Sequence, residues 1–130
     1  MNKNEITNKL KKYNFDKSKY LVISGAAMVL LGIKKETSDI DIAVDKEYYD
    51  YLLSNYNAIF ERCNEFNNKC YLIDNIINFG VDYYSDEKLI INDIPVQTPQ
   101  HILSLKKYLN RKKDIEDIEK LKKYIKEKNV

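Results

Sequence analysis

The sequence predicts an α/β (α+β) domain built on a small mixed β-sheet, with helices packed on one side and two helices closing the chain. Three observations carry this. Short β-branched apolar runs alternate with helical patterns along the first half of the chain. Two pairs of strand-like runs are split by Asp-Asn and Asn-Asp dipeptides, a hairpin signal. The last thirty residues carry apolar positions three and four apart, a helical period.

The elements follow in order. Residues 3–13 form a short lysine-rich helix. Tyr20–Ile23 is a brief apolar run, a buried strand interrupted by Ser24-Gly25. Ala26–Leu31 is a helix stopped by Gly32 as its C-terminal cap. Asp39–Val44 alternates strictly, and that alternation makes a strand. Asp45 caps a helix over Lys46–Leu53. No assignment is made for Phe60–Phe66. Lys69–Ile73 and Ile77–Tyr84 pair as a hairpin around Asp74-Asn75, and Lys88–Ile91 pairs with Ile94–Gln97 around Asn92-Asp93. Pro99 opens a helix that runs to about Leu109. After a break at Asn110–Lys112, Lys113–Lys128 forms an amphipathic helix with Ile115, Ile118, Leu121 and Ile125 on its apolar stripe.

Composition narrows the classes. At 130 residues, 44% hydrophobic and 32% charged, the chain matches one globular domain over residues 1–130 and excludes a disordered tail, a collagen-like repeat or a disulfide miniprotein. No apolar run approaches membrane-spanning length, and the polar first residues lack a signal core, so a cytoplasmic location and no membrane partner are expected. Cys63 and Cys70 are spaced wrongly for a CxxC redox pair or a clustered zinc site. Net charge is only +2, yet it is uneven. Residues 101–130 hold ten Lys/Arg against five Asp/Glu, and the first hundred hold 12 against 15. That asymmetry reads either as a solvated helical face or as a surface that attracts phosphate.

The chemistry concentrates between Ser24 and Val44. Asp39 and Asp41 project to one side of their strand while Ile40, Ile42 and Val44 take the other. Two adjacent carboxylates repel, which a proton or a cation relieves, and hard oxygen donors suit Mg²⁺. A turn-capping Asp39 and a solvent-facing Asp41 would explain the same residues. Ser24-Gly25, between strand and helix, lets an anion approach the backbone, or is an ordinary turn. Lys34 and Lys35 just before the acidic pair offer charge for a triphosphate, or are plain loop lysines. A third carboxylate would complete a two-metal site. Asp74 and Asp86 sit in turns, whereas Asp82 falls in mid-strand between Val81 and Tyr83, where an Asp is disfavoured. Asp82 is therefore chosen, against a plain edge-strand reading. His101 is taken as a surface or capping residue, and the tyrosines as half-buried packing.

Ser24-Gly25, the following helix, the loop with Thr37 and the strand Ser38-Asp39-Ile40-Asp41-Ile42 together resemble the signature of the DNA polymerase beta nucleotidyltransferase superfamily. Within it, GAAMVLLGIKKETSDIDIAV is similar to small bacterial and phage enzymes of the abortive-infection toxin type (AbiEii-like). The stretch LKKYLNRKKDIEDIEKL resembles that group's C-terminal segment. The resemblance implies a minimal nucleotidyltransferase fold. It implies Mg²⁺-dependent transfer of a nucleotide monophosphate from an NTP to a hydroxyl acceptor (RNA, protein or small molecule), with pyrophosphate released. It implies catalytic and metal-binding roles for Asp39, Asp41 and Asp82, with two Mg²⁺ ions or Mn²⁺ in their place. Ser24, Gly25, Lys35 and Lys106 would then contact the nucleotide. Arg111, Lys113, Asp114 and Asp117 would pin the last two helices through ion pairs such as Lys113–Asp117. Ser24 in place of Gly and Lys35 in place of Arg depart from the pattern. The competing readings are a catalytically idle binding protein on the same fold, acting as an antitoxin-like partner or nucleic-acid adaptor, and modification of a small antibiotic. A homodimer or a cognate protein partner is also compatible with the apolar stripe on the last helix.

Overall fold

Local turn chemistry sets most of the topology. In a computed structural model, which describes residues 1–128, Asp74 and Asn75 both have positive φ (53° and 58°), as do Asn92 and Asp93 (52° and 67°). Two consecutive left-handed residues are what a type I′ hairpin needs, and Asn and Asp reach that region at low cost. The two turns join β4 (Lys69–Ile73) to β5 (Ile77–Gly80) and β6 (Leu89–Ile91) to β7 (Ile94–Val96). With β1 (Tyr20–Ile23), β2 (Ile40–Val44) and β3 (Ile59–Cys63) they make one seven-stranded sheet in the order β3-β4-β5-β2-β1-β7-β6. The sheet is mixed: β1 runs antiparallel to β2, while β2–β5 and β1–β7 are parallel.

The register sorts the side chains into two faces. Ile42 is paired with Val22 and Phe79, and Tyr71 with Phe79, so these four share a face. Helices α1 (Lys3–Lys11), α2 (Ser24–Leu30) and α3 (Lys46–Asn55) pack on it. Tyr49 of α3 meets Phe79 edge-on at 5.6 Å, and Ile6, Met28, Ile40, Leu52 and Phe79 are fully buried there. Each helix starts and stops for a local reason. Asn2 and Glu5 form a capping box on α1. The Asp45 carboxylate accepts the Tyr48 N–H at 2.7 Å to start α3. Gly32, at φ 83°, ends α2 in a Schellman turn, with its N–H on the Val29 carbonyl and the Ile33 N–H on the Met28 carbonyl.

The chain closes with α4 (Pro99–Leu109), a short 3₁₀ turn (Lys112–Asp114) and α5 (Ile115–Lys128). Thr98, not His101, supplies the cap of α4, its hydroxyl accepting the His101 N–H. Three expectations change. Phe60–Phe66, left unassigned, contains most of β3, an edge strand whose residues are all exposed. β5 stops at Gly80, so Asp82 lies in a turn rather than in mid-strand, next to Tyr83 at φ 71°. The stripe of the last helix holds at Ile118, Leu121 and Ile125 but loses its first position. Ile115 is 60% exposed, and Asp114, the last residue of the 3₁₀ turn, is buried instead.

Candidate active site

The face of the sheet opposite the core presents Asp41 on β2, Ile23 on β1, and Asn78 and Gly80 on β5, as the pairings Ile23↔Asp41, Asp41↔Asn78 and Ala43↔Gly80 require. These residues and α4 line one pocket. Of the residues singled out from the sequence, Ser24, Asp41, Asp82, Lys106, Arg111 and Lys113 line it. Asp39 and Lys35 are exposed and do not line it, and neither does Gly25.

Asp41 is the most perturbed carboxylate on this face. Burial, then the charge of Asp39, pushes its pKa up to about 6, with Glu61 and Glu65 adding to the effect and Arg62 opposing it. Asp39, outside the pocket lining and just before β2, is thus an electrostatic neighbour of Asp41.

Asp82 is held differently. Its carboxylate accepts the side-chain amide of Asn64 at 2.5 Å and that of Asn68 at 3.0 and 3.1 Å. It therefore ties the β3–β4 connection to the pocket rim. The residue of β5 directly beside Asp41 is Asn78, whose side-chain amide donates to Glu61. The three-carboxylate cluster predicted from Asp39, Asp41 and Asp82 is not assembled. Among the described residues no three His, Cys, Asp or Glu side chains stand together closely enough to hold a metal ion. The cause is local: β5 ends two residues before Asp82, and the asparagines draw its carboxylate toward the loop. The donor set that remains, Asp41 with Asp39, fits one hard divalent cation, which needs only one or two carboxylates when phosphates supply the rest.

The bend at Ser24 is real and strained. Ser24 has φ 58°, a region costly for a residue with a Cβ. Its N–H donates to Oε1 of Gln97 at 3.1 Å. Gly25 lies against Thr37: a Cβ there would come within 3.1 Å of the Thr37 hydroxyl oxygen, which would have to give by a few tenths of an ångström. The smallness of the Ser-Gly pair thus serves the packing of the Thr37 loop.

Lys106 carries the far wall. Its ammonium is buried and lies 2.9 Å from Asp114 and 3.4 Å from Asp117. Asp117 also meets Lys34 at 3.6 Å. Arg111 bridges Asp114 at 2.7 Å and Glu65 at 3.0 Å, and Glu65 accepts the Tyr83 hydroxyl. Burial alone would raise the Asp114 carboxyl, but the hydrogen bonds and charges of Lys106 and Arg111 outweigh it and hold it below the usual range. The last helices are pinned by ion pairs, as predicted, but not by Lys113–Asp117. Asp117 is taken instead by Lys34 and Lys106. Sequence reasoning passed over Gln97, Asn64, Asn68 and Glu65. Only Gln97 left a signal, as a polar residue ending an apolar strand.

No protein-family model and no curated protein matches this chain. Among solved structures, it is similar to a Thermotoga maritima protein provisionally named a nucleotidyltransferase, whose crystal structure is known at 1.87 Å. The two share 21% identity and a TM-score of 0.61, over 98% of this chain and 96% of the other. A likeness of that depth over nearly the whole of both chains shows a common fold. The seven-stranded mixed sheet with two joined C-terminal helices is the fold of that nucleotidyltransferase-named neighbour.

Proposed function

We propose that this chain transfers a nucleotidyl group from an NTP to a hydroxyl acceptor, with Asp41 as the central acid and Asp39 as its partner. The observation that carries the reading is the partly buried Asp41 carboxylate, its pKa pushed up to about 6 by desolvation and by Asp39, in a pocket that presents Arg62, Lys106, Arg111 and Lys113 beside Glu65 and Asp82. A carboxylate destabilised in this way gains from a divalent cation, and the surrounding cations suit a polyphosphate. The fold shared with a nucleotidyltransferase-named neighbour supports the same reading.

Asp41 and Asp39 would hold Mg²⁺, which would neutralise charge building up on the reacting phosphate. The chain's own residues orient the substrate. Lys106 is fixed at the pocket wall by Asp114 and Asp117, which offset its charge, so it offers a positioned donor rather than a free cation. Such positioning and charge stabilisation account for most of the rate gain in phosphoryl transfer. Asp82 faces the same pocket, and its first task is to hold Asn64 and Asn68.

A second reading, a nucleotide-binding protein without catalysis, is favoured by the engagement of Asp82 with the two asparagines. Titration calorimetry with Mg²⁺ and each NTP, followed by a search for pyrophosphate release and for labelled acceptor in a lysate, separates the two. Metal-dependent NTP binding with label transfer supports the enzyme. Binding without pyrophosphate release supports the idle module, and no binding removes both.

A further inference from the structure

Gln97 is among the most buried polar residues of the chain, 2% exposed, and its two side-chain ends have different tasks. The Ser24 N–H must find an acceptor, so the amide oxygen is the end that faces it. That fixes the orientation of the side chain and turns Nε2 away from the backbone bend. Among the described residues Nε2 has no acceptor, and it is not one of the sealed, unpartnered atoms of the interior. Gln97 lines the pocket, so this donor opens into it. The register places it there. Val96 pairs with Val22 on the core face, which puts Gln97 on the pocket face, in the lateral row that runs through Ile23 to Asp41. Two strand spacings, about 10 Å, separate Gln97 from Asp41.

We infer that Gln97 is a ligand-reading residue, its Nε2 donating to a phosphate oxygen of a polyphosphate that reaches from Asp41 toward the Ser24 bend. This rests on the NTP reading of the pocket given above. A buried donor that is sealed on one side and open on the other is costly unless a ligand or water meets it. A row about 10 Å long suits a chain of phosphates better than a single anion. The backbone hold and the ligand contact are made by opposite ends of one amide, so they can be separated by substitution.

Gln97→Glu keeps an oxygen for the Ser24 N–H and removes the donor. A second pair avoids the added charge. Ser24→Gly keeps the backbone N–H but removes the cost of a Cβ at positive φ, so the bend depends less on Gln97 to keep its shape. Comparing Ser24→Gly with Ser24→Gly/Gln97→Met then reads the loss of the uncharged amide on an unstrained bend, and Gln97→Glu reads the loss of the donor with the acceptor kept. Mg²⁺-tripolyphosphate and Mg²⁺-ATP are titrated into the wild type and all three variants, with melting curves to establish folding. The inference expects tripolyphosphate affinity to fall at least 10-fold in Gln97→Glu, and also between Ser24→Gly and the double variant, at unchanged fold. Equal tripolyphosphate affinity across the Ser24→Gly pair overturns it. Loss confined to ATP also overturns it, assigning the donor to the nucleoside instead. If the wild type binds neither probe, the NTP reading fails and this inference fails with it. Wild-type binding with indifferent variants sinks only the role of Gln97.

Discussion

The two faces of the sheet hold together on opposite terms. On the core face Val22, Ile40, Ile42, Val44 and Phe79 are no more than 1% exposed, and they pack against Met28, Tyr49 and Leu52. Any apolar residue of about the right volume serves there, and stability scales with area removed from water. On the pocket face Asp41, Asn78, Gln97, Lys106 and Asp114 are wholly or partly buried, and each polar group is stable only through a named partner. Asn78 has Glu61, Gln97 has the Ser24 N–H, and Lys106 has two carboxylates. Asp41 is the exception. It is surrounded by more acid than base and is left with a raised pKa. The contrast teaches where to look for chemistry: at the partly buried acid that has no hydrogen-bond or ion-pair partner among the described residues.

The largest effect expected is on Asp41→Asn. Loss of the central acid should lower nucleotidyl transfer by about 10³-fold or more, roughly 4 kcal/mol of barrier. Stability should move the other way. The folded pKa of Asp41, about 6, lies above the unfolded value of 3.8. Its protonated form is therefore the one that favours folding. That contribution is full below about pH 4 and is lost as pH rises through 6. The neutral Asn keeps it at every pH. Denaturant melts without metal should show the variant more stable than wild type by up to roughly 3 kcal/mol at pH 8, with the gap closing by pH 4. Wild-type affinity for Mg²⁺ should rise through pH 6 as the proton leaves. A variant less stable than wild type at pH 8 would show that Asp41 already has a partner.

On the core face, Phe79→Ala should cost about 3–5 kcal/mol through a cavity that Tyr49 and Tyr71 cannot close. That loss should be insensitive to pH and salt. Asp114→Asn is its counterpart across the sheet. It leaves Lys106 with Asp117 alone and Arg111 with Glu65 alone. Removing one partner of a buried ion set costs about 3 kcal/mol. Asp114 is depressed in the folded state, so the stability it provides is present above the unfolded carboxylate range and disappears as pH falls through its folded pKa. Wild type should therefore become acid-labile where Asp114→Asn is not. Parallel acid unfolding curves for the two proteins would locate the acid-sensitive set elsewhere.

The core face was legible because its rules are local and periodic. The alternation in Asp39–Val44, the Asp74-Asn75 and Asn92-Asp93 turns and the Gly32 stop each follow from one or two residues and their backbone preferences. β3 left no such signal, since Ile59–Cys63 is exposed on both faces at the sheet edge and needs no alternation. The pocket face was only half legible. Asp41 and Ser24 stand out by spacing, and Lys106 by position. The partners that decide their behaviour lie far away in sequence: Gln97 from Ser24, Asn64 from Asp82, Lys34 from Asp117. The mid-strand placement of Asp82 failed for the same reason, since β5 ends at Gly80 and a distant loop engages its carboxylate. Ile115 lies outside the stripe that Ile118, Leu121 and Ile125 keep, and Asp114 in the 3₁₀ turn is buried instead through its pairs with Lys106 and Arg111, which periodicity does not reveal.

The smallest effect sits at the hinge that makes the Asp114 set possible. Asn110 caps α4 in the left-handed region, φ 50° and ψ 49°, with its N–H on the Lys106 carbonyl. The reversal brings Arg111 and Asp114 back over Lys106, the residue that ends up between two carboxylates. Asn tolerates that conformation, Gly adopts it freely and Ala resists it by about 1 kcal/mol. Asn110→Gly should therefore melt within a degree or two of wild type, while Asn110→Ala should fall by about 4 °C. If the α4–α5 ion set depends on this reversal, Asn110→Ala should also lose part of the acid lability that Asp114 confers, whereas a core substitution of equal cost should leave it intact. Equal melting of the Gly and Ala variants would mean that the turn is not under strain and that the ion pairs alone hold the pocket wall in place.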